Sequence, residues 1–165
     1  MGDSYMVGKN EVVEWVKRSF EKGSTCLDVG CGSGIWGDLL GDYLKMDGVE
    51  VFFPYIKPLL DKGRYDVIFH FDIADLDYDH YDLVIFGDVI EHMEVDKAQA
   101  VLEYAKHHSD DHVVAVPWLY EQGELNGNVY ETHLQPDLTP DVFEERYPGY
   151  SPLWMGPNYA YYHCK

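Results

Sequence analysis

The sequence predicts an α/β protein built on a doubly wound, mostly parallel sheet, and three observations carry that expectation. Apolar, strand-like runs alternate with helix-like segments five times between residues 10 and 117. The run Leu83–Phe86 is apolar without alternation, as in a strand covered on both faces. The stretch LDVGCGSGIWG, Leu27–Gly37, sets a glycine-dense loop between the first strand and the next helix.

Taken in order, residues 10–22 place Val12, Val13, Val16 and Phe20 near one face, with Glu14, Lys17, Arg18 and Glu21 largely opposite. This is an amphipathic helix, expected to be capped by Asn10 and stopped by Gly23. Thr25–Val29 follows as the first strand, then the glycine loop and a helix to about Leu44. Val49–Phe53 is the next apolar segment and the expected second strand, with Pro54 opening a short helix. Tyr65–Phe69 is expected as the third strand, an acidic turn-rich stretch leads into DLVIFGD as the fourth, and a helix is expected over residues 88–108. VVAVP, ending at Pro117, is the fifth strand. Beyond it, residues 118–136 have the polar and aromatic character of a long loop, and Pro140–Tyr147 that of a short helix. The aromatic runs on either side of Gly156-Pro157-Asn158 suit an antiparallel hairpin.

With 165 residues, the expectation is a single domain, residues 1–165, divided into an N-terminal helix at about 10–22, a main half at about 24–117 and a loop-and-hairpin portion at about 118–165. No apolar run approaches the roughly 20 residues of a membrane span, so a soluble, cytoplasmic protein is expected. Cys26, Cys31 and Cys164 form no paired framework. A formal net charge of -18 repels phosphate backbones and argues against nucleic acid as a partner, while a cationic ligand would be tolerated well.

The glycine loop carries the chemistry. Between a strand and a helix, such a loop aims backbone N–H groups and the positive end of a helix dipole at a ligand. Glu50, 20 residues after Gly30, stands where an acid at the end of the next strand accepts hydrogen bonds from ribose hydroxyls. Asp28, two residues before the loop, would repel a pyrophosphate and suits a cationic amino-acid moiety, which turns the reading away from a dinucleotide.

From Cys26 to Pro117 the chain resembles the class I S-adenosylmethionine-dependent methyltransferases. LDVGCGSG matches their glycine motif, Glu50 their acid after the second strand, Asp72 in FDIADL their acid after the third, and YDLVIFGDVIEHM their fourth-strand motif. The resemblance implies a Rossmann-like, three-layer α/β/α fold whose seven-stranded sheet ends on an antiparallel strand. It also implies S-adenosylmethionine as cofactor and S-adenosylhomocysteine as product. Asp28 would orient the first loop and its approach to the methionine amine, and Gly30, Cys31, Gly32 and Gly34 would lie along the cofactor. Glu50 would take the ribose, Asp72 and Ile73 the adenine, and Asp88 the methionine end.

Glu91 and His92, just past the fourth strand, and His133, in the loop after the fifth, are the candidate catalytic residues. An imidazole there can take a proton from an acceptor. The alternative for Glu91 and His92 is that they only brace the helix. DVIEH followed by a loop histidine also looks like the metal site of small-RNA 3'-terminal 2'-O-methyltransferases, in which Asp88, Glu91, His92 and His133 would hold a divalent ion. The leading expectation requires no metal: methyl transfer to an oxygen or nitrogen of a small-molecule acceptor, by a monomer or homodimer. A catalytically silent cofactor-binding module is the other alternative.

Overall fold

The computed structural model describes residues 6–165. One seven-stranded sheet, ordered β3-β2-β1-β4-β5-β7-β6, runs through it. Its strands are β1 (Thr25–Val29), β2 (Lys45–Val49), β3 (Val67–Phe69), β4 (Tyr81–Gly87), β5 (Ser109–Pro117), β6 (Ser151–Met155) and β7 (Tyr159–Cys164). The first five are parallel, and β7 inserts antiparallel between β5 and β6. Five helices accompany them: α1 (Lys9–Ser19), α2 (Ile35–Leu40), α3 (Phe53–Lys62), α4 (Val95–His107) and α5 (Pro140–Arg146). The doubly wound sheet and the terminal hairpin agree with expectation.

Strand alternation divides the core between the two faces. Leu27, Val29, Val84, Phe86, Val114 and Val116 point to one side, where Ala98, Val101 and Leu102 of α4 and Phe143 of α5 cover them. Cys26, Met46, Leu83, Ile85, Val113 and Ala115 point to the other, under Val12 and Val16 of α1 and Trp36 and Leu40 of α2. This makes the three layers. All three cysteines are free and buried.

Several boundaries differ from expectation. α1 starts one residue before Asn10, and its cap is Gly8, at φ 80. A Cβ on Gly8 would stand 2.6 Å from the Trp154 ring, so the hairpin, which sequence spacing does not reveal, dictates this start. The helix ends at Ser19 rather than at Gly23, because Phe20 turns extended and packs edge-on against Trp15. α2 ends at Leu40, short of Leu44. β2 occupies Lys45–Val49, not Val49–Phe53: Lys45 and Asp47 interrupt its apolar pattern, and the helix α3 begins at Phe53 with Pro54 in its first turn. β3 is shorter than expected, beginning at Val67. Phe53 is 69% exposed and joins neither core. The helix expected from residue 88 is split into a 3-10 turn, Ile90–His92, and α4 from Val95.

Candidate functional site

The carboxyl ends of β1, β2 and β4 open into a cleft, where ligands bind in doubly wound sheets. Gly30, Gly32 and Gly34 have φ of 64, 49 and 81. At Gly30 the need for glycine is double: the backbone is left-handed, and a Cβ would lie 2.6 Å from Cγ2 of Val89. Cys31 holds the loop through its backbone, its N–H donating to the Val49 carbonyl at 3.1 Å and its carbonyl accepting from Gly34 N at 2.7 Å. Its thiol is buried against Gly48, and burial pushes its pKa up.

Glu50 follows β2 directly and is 5% exposed. Its carboxylate accepts from Gly32 N at 2.8 Å and from Phe52 N at 2.7 Å, tying the strand end to the glycine loop. Burial raises its pKa, and these two amides work against that rise. Asp28, on β1, is 1% exposed. Tyr65 donates to its Oδ2 at 2.6 Å, while Oδ1 is buried with no partner. Burial pushes its pKa up to about 7, opposed by the Tyr65 hydrogen bond and by the charge of Lys9.

A first cavity of about 140 Å³ runs along this edge, lined by Gly30, Gly32, Glu50, Asp72, Ile73 and Asp88 among others. Six of the nine residues assigned to the cofactor line it, Cys31 and Gly34 lie in the glycine loop beside it, and Asp28 is tucked behind on β1. Asp72 caps the turn Ile73–Asp75 through Ala74 N at 3.0 Å and pairs with Lys97 at 2.6 Å.

A second cavity of about 770 Å³ adjoins the first, and Gly30, Gly32, Tyr55, Asp88, His92 and Glu131 line both. Asp88 sits at φ 60, a left-handed conformation uncommon outside glycine, and accepts a hydrogen bond from the Tyr159 hydroxyl. Glu91 is 1% exposed, and both its carboxylate oxygens are buried without a partner. Burial holds its pKa well above the usual carboxylate range, aided by the charge of Asp88. His92 lies alongside, its ring 4.6 Å from that of His133. Burial and His133 hold its pKa down to about 4, and burial also lowers that of His133.

Each imidazole has its Nδ1 on a carbonyl oxygen, His92 on Thr132 at 3.2 Å and His133 on Tyr120 at 2.8 Å. Nδ1 is therefore the protonated nitrogen and Nε2 an acceptor in both rings. One ligand atom each from Glu91, His92 and His133 lies within 4.8 Å of the others. Asp88, expected beside them, is outside that convergent set.

The loop over the cleft, 118–136, is fixed by residues that sequence reasoning passed over. Gln135, 2% exposed, gives its side-chain amide to the carbonyls of Ile90 and Met93 at 2.8 and 3.1 Å. Its backbone N–H and that of Leu134 donate to the Glu91 carbonyl. Tyr55 reaches across from α3 to Glu131 at 3.1 Å. Tyr65 clamps Asp28 and the Gly37 amide together, and Lys9 is buried against Tyr161 and Trp36. The partners of Tyr55, Tyr65 and Gln135 are more than ten residues away, so only an aromatic or amide at an element's end hinted at them. Of the tail tyrosines, Tyr161 and Tyr162 are core, whereas Tyr159 also lines the second cavity.

Fold and cleft together have the form of a methyltransferase domain. The model of a methyltransferase-domain family matches residues 8–118, and the chain belongs to that family. No curated protein sequence matches it. Among solved structures, an S-adenosylmethionine-dependent methyltransferase from Clostridium acetobutylicum superposes with a TM-score of 0.72 at 11% identity, over 93% of this chain and 88% of that one. Magnesium protoporphyrin IX methyltransferase from Synechocystis with bound S-adenosylhomocysteine gives 0.66 at 18%, over 93% and 79%. A Burkholderia thailandensis 1,6-didemethyltoxoflavin N1-methyltransferase gives 0.69 at 15%, over 98% and 78%. No described helix is long and apolar enough to cross a membrane.

Proposed function

We propose that this chain, acting as a single catalytic domain, transfers the methyl group of S-adenosylmethionine to an oxygen or nitrogen of a small-molecule acceptor and releases S-adenosylhomocysteine. The observation that carries the reading is Glu50, a buried carboxylate fixed by two backbone amides beside the glycine loop, with lone pairs left to accept from ribose hydroxyls. The orphaned Oδ1 of Asp28 supports it, since an ammonium group in the cleft would supply the charge that favours its ionised form. The relatives of this fold crystallised with S-adenosylhomocysteine or with a small acceptor point the same way.

On this reading Gly30, Cys31, Gly32 and Gly34 present backbone to the cofactor, Asp28 orients their loop from behind, Asp88 faces the methionine end, and Asp72 and Ile73 flank the adenine. The cofactor brings an activated methyl group; the protein's part is to align the acceptor and exclude water. His92, neutral with Nε2 as acceptor, takes a proton as transfer proceeds, and a base this weak does so only once the nucleophile has become strongly acidic. The Thr132 carbonyl orients its ring, and His133 packs edge-on against it.

Glu50→Ala should weaken S-adenosylhomocysteine binding by roughly 1.5 to 3 kcal/mol, the worth of a charged hydrogen-bonding interaction. Calorimetry measures this, and unchanged affinity removes Glu50 from the site. Cofactor binding with no turnover across a broad acceptor panel would instead favour the silent module.

The convergence of Glu91, His92 and His133 favours a second reading, in which they hold a divalent ion with each imidazole oriented by a carbonyl. Mn(II) and Mg(II) titrations test it: heat that disappears in His133→Ala supports the ion, and no heat removes it. The RNA acceptor attached to that alternative is opposed by the net charge of -18.

A further inference from the structure

The larger cavity is rich in hydrogen-bond acceptors, although the hydroxyls of Ser33 and Tyr120 also line it. Among the described residues none that lines it is Lys or Arg, whereas Asp88, Glu91 and Glu131 are acids. Both histidines in its wall have given their Nδ1–H to carbonyls, leaving Nε2 as an acceptor. The hydroxyl protons of Tyr55 and Tyr159 are already directed at Glu131 and Asp88, and the Gln122 amide at the Glu131 carbonyl. The indole N–H of Trp36 is the one buried side-chain donor without a partner in this wall, among the described residues. A ligand that satisfies such a wall must bring donors and positive charge.

Glu91 points to a ligand independently of that count. A fully buried carboxyl group with neither oxygen hydrogen-bonded is costly, and in native proteins such a group generally has a partner. Trp36, Tyr55, Tyr120 and Tyr159 add aromatic surface to the same chamber, which suits a cation.

We propose that the acceptor is a cationic amine, bound as its ammonium by Asp88, Glu91 and Glu131 against these rings and methylated on nitrogen. The inference rests on the methyltransferase reading above and names its substrate class. Before transfer the ammonium loses one proton to water, so for this acceptor His92 is not the base and its Nε2 accepts from the amine N–H. The nitrogen lone pair then forms the N–C bond while the C–S bond breaks with its electrons on sulfur, leaving an N-methylammonium and a neutral thioether. An ion at Glu91, His92 and His133 would satisfy only that trio; the acceptor character reaches beyond it, to Asp88 and Glu131.

Three probes of one shape and different charge test this: benzylamine, benzyl alcohol and benzoate, titrated by calorimetry into protein saturated with S-adenosylhomocysteine, in chelator-containing buffer near neutral pH. Benzylamine should bind at least about tenfold more tightly than benzyl alcohol, a difference of about 1.4 kcal/mol. Benzoate should bind more weakly than either. Glu91→Gln should erase most of the preference for the amine, and Glu131→Gln serves the same purpose where the first variant does not fold. A chamber indifferent to charge, including one that takes none of the three, overturns the proposal. So does a preference that survives both substitutions, or one that appears only when a divalent metal replaces the chelator. The preceding titration with S-adenosylhomocysteine keeps the two readings apart. Its failure sinks the cofactor reading, whereas cofactor binding without amine preference sinks this inference alone.

Discussion

Along β1 and β2, Asp28 and Glu50 each hold at least one donor; across the cleft, on the turn after β4, Glu91 holds none. The first side is assembled from groups already close in the chain. Glu50 reaches an amide two residues on and another in the neighbouring loop, and Asp72 caps its own turn. The second side depends on distant partners, with Gln135 and the backbone of Leu134 pinning the turn that carries Glu91 and His92. A site whose donors are supplied locally is preorganised before any ligand arrives; one left with unspent acceptors is shaped by what enters it.

Asp28 is the exception on the first side, and it gives the largest expected effect. Its pKa rises from an ordinary carboxylate value to about 7 on folding, because burial disfavours the charge. The folded protein therefore binds the proton more tightly than the unfolded chain. The stabilisation is complete below the unfolded pKa and is lost as pH climbs through about 7, amounting to on the order of 4 kcal/mol. Thermal melts of the ligand-free protein should fall across that window, and Asp28→Asn should flatten the fall. Parallel curves for the two proteins would show that Asp28 titrates normally. In the proposed site the methionine ammonium offsets this loss, so S-adenosylhomocysteine affinity should increase over the same pH range.

Gln135→Ala strikes the other side. It strips a partner from the carbonyls of Ile90 and Met93 and from the hydroxyl of Tyr147, which donates to Gln135 at 2.8 Å. Unsatisfied buried groups of this kind cost roughly 1 to 3 kcal/mol. The loss should appear as a lower melting temperature and faster hydrogen exchange across residues 118–136, with cofactor affinity held. An equal loss of cofactor affinity would mean that the two sides of the cleft are one cooperative unit.

The same division explains what the sequence revealed. β1, β4 and the hairpin were legible because apolar runs and turn residues specify them locally. β2 was misplaced because Lys45 and Asp47 break its pattern; Asp47 is retained where it accepts from the Tyr81 hydroxyl at 2.8 Å, a contact 34 residues away. The break before α4 was invisible because the side chain of Gln135 holds the carbonyls of Ile90 and Met93, at either end of the turn. Spacing singled out Glu50 and the glycine loop, which the fold sets side by side through the Gly32 amide. The approach of His133 to His92 was anticipated from motif likeness, but the burial of Glu91 without partners was not, since no local pattern marks a carboxylate as enclosed.

Asp72→Asn gives the smallest effect and the sharpest test of how finished the first side is. The side chain is 28% exposed and its partner Lys97 41%, so the ion pair lies in water's reach and contributes at most about 1 kcal/mol. Asparagine keeps the acceptor that caps Ala74, and helix-cap preferences for the two residues are alike. The substitution should therefore shift the melting temperature slightly and only at low salt, where screening is weak. Any role of the carboxylate toward adenine would be shared with the cap, so S-adenosylhomocysteine affinity should drop by less than Glu50→Ala produces. A larger drop than that would put the main polar anchor of the proposed site at the turn after β3 rather than at the end of β2.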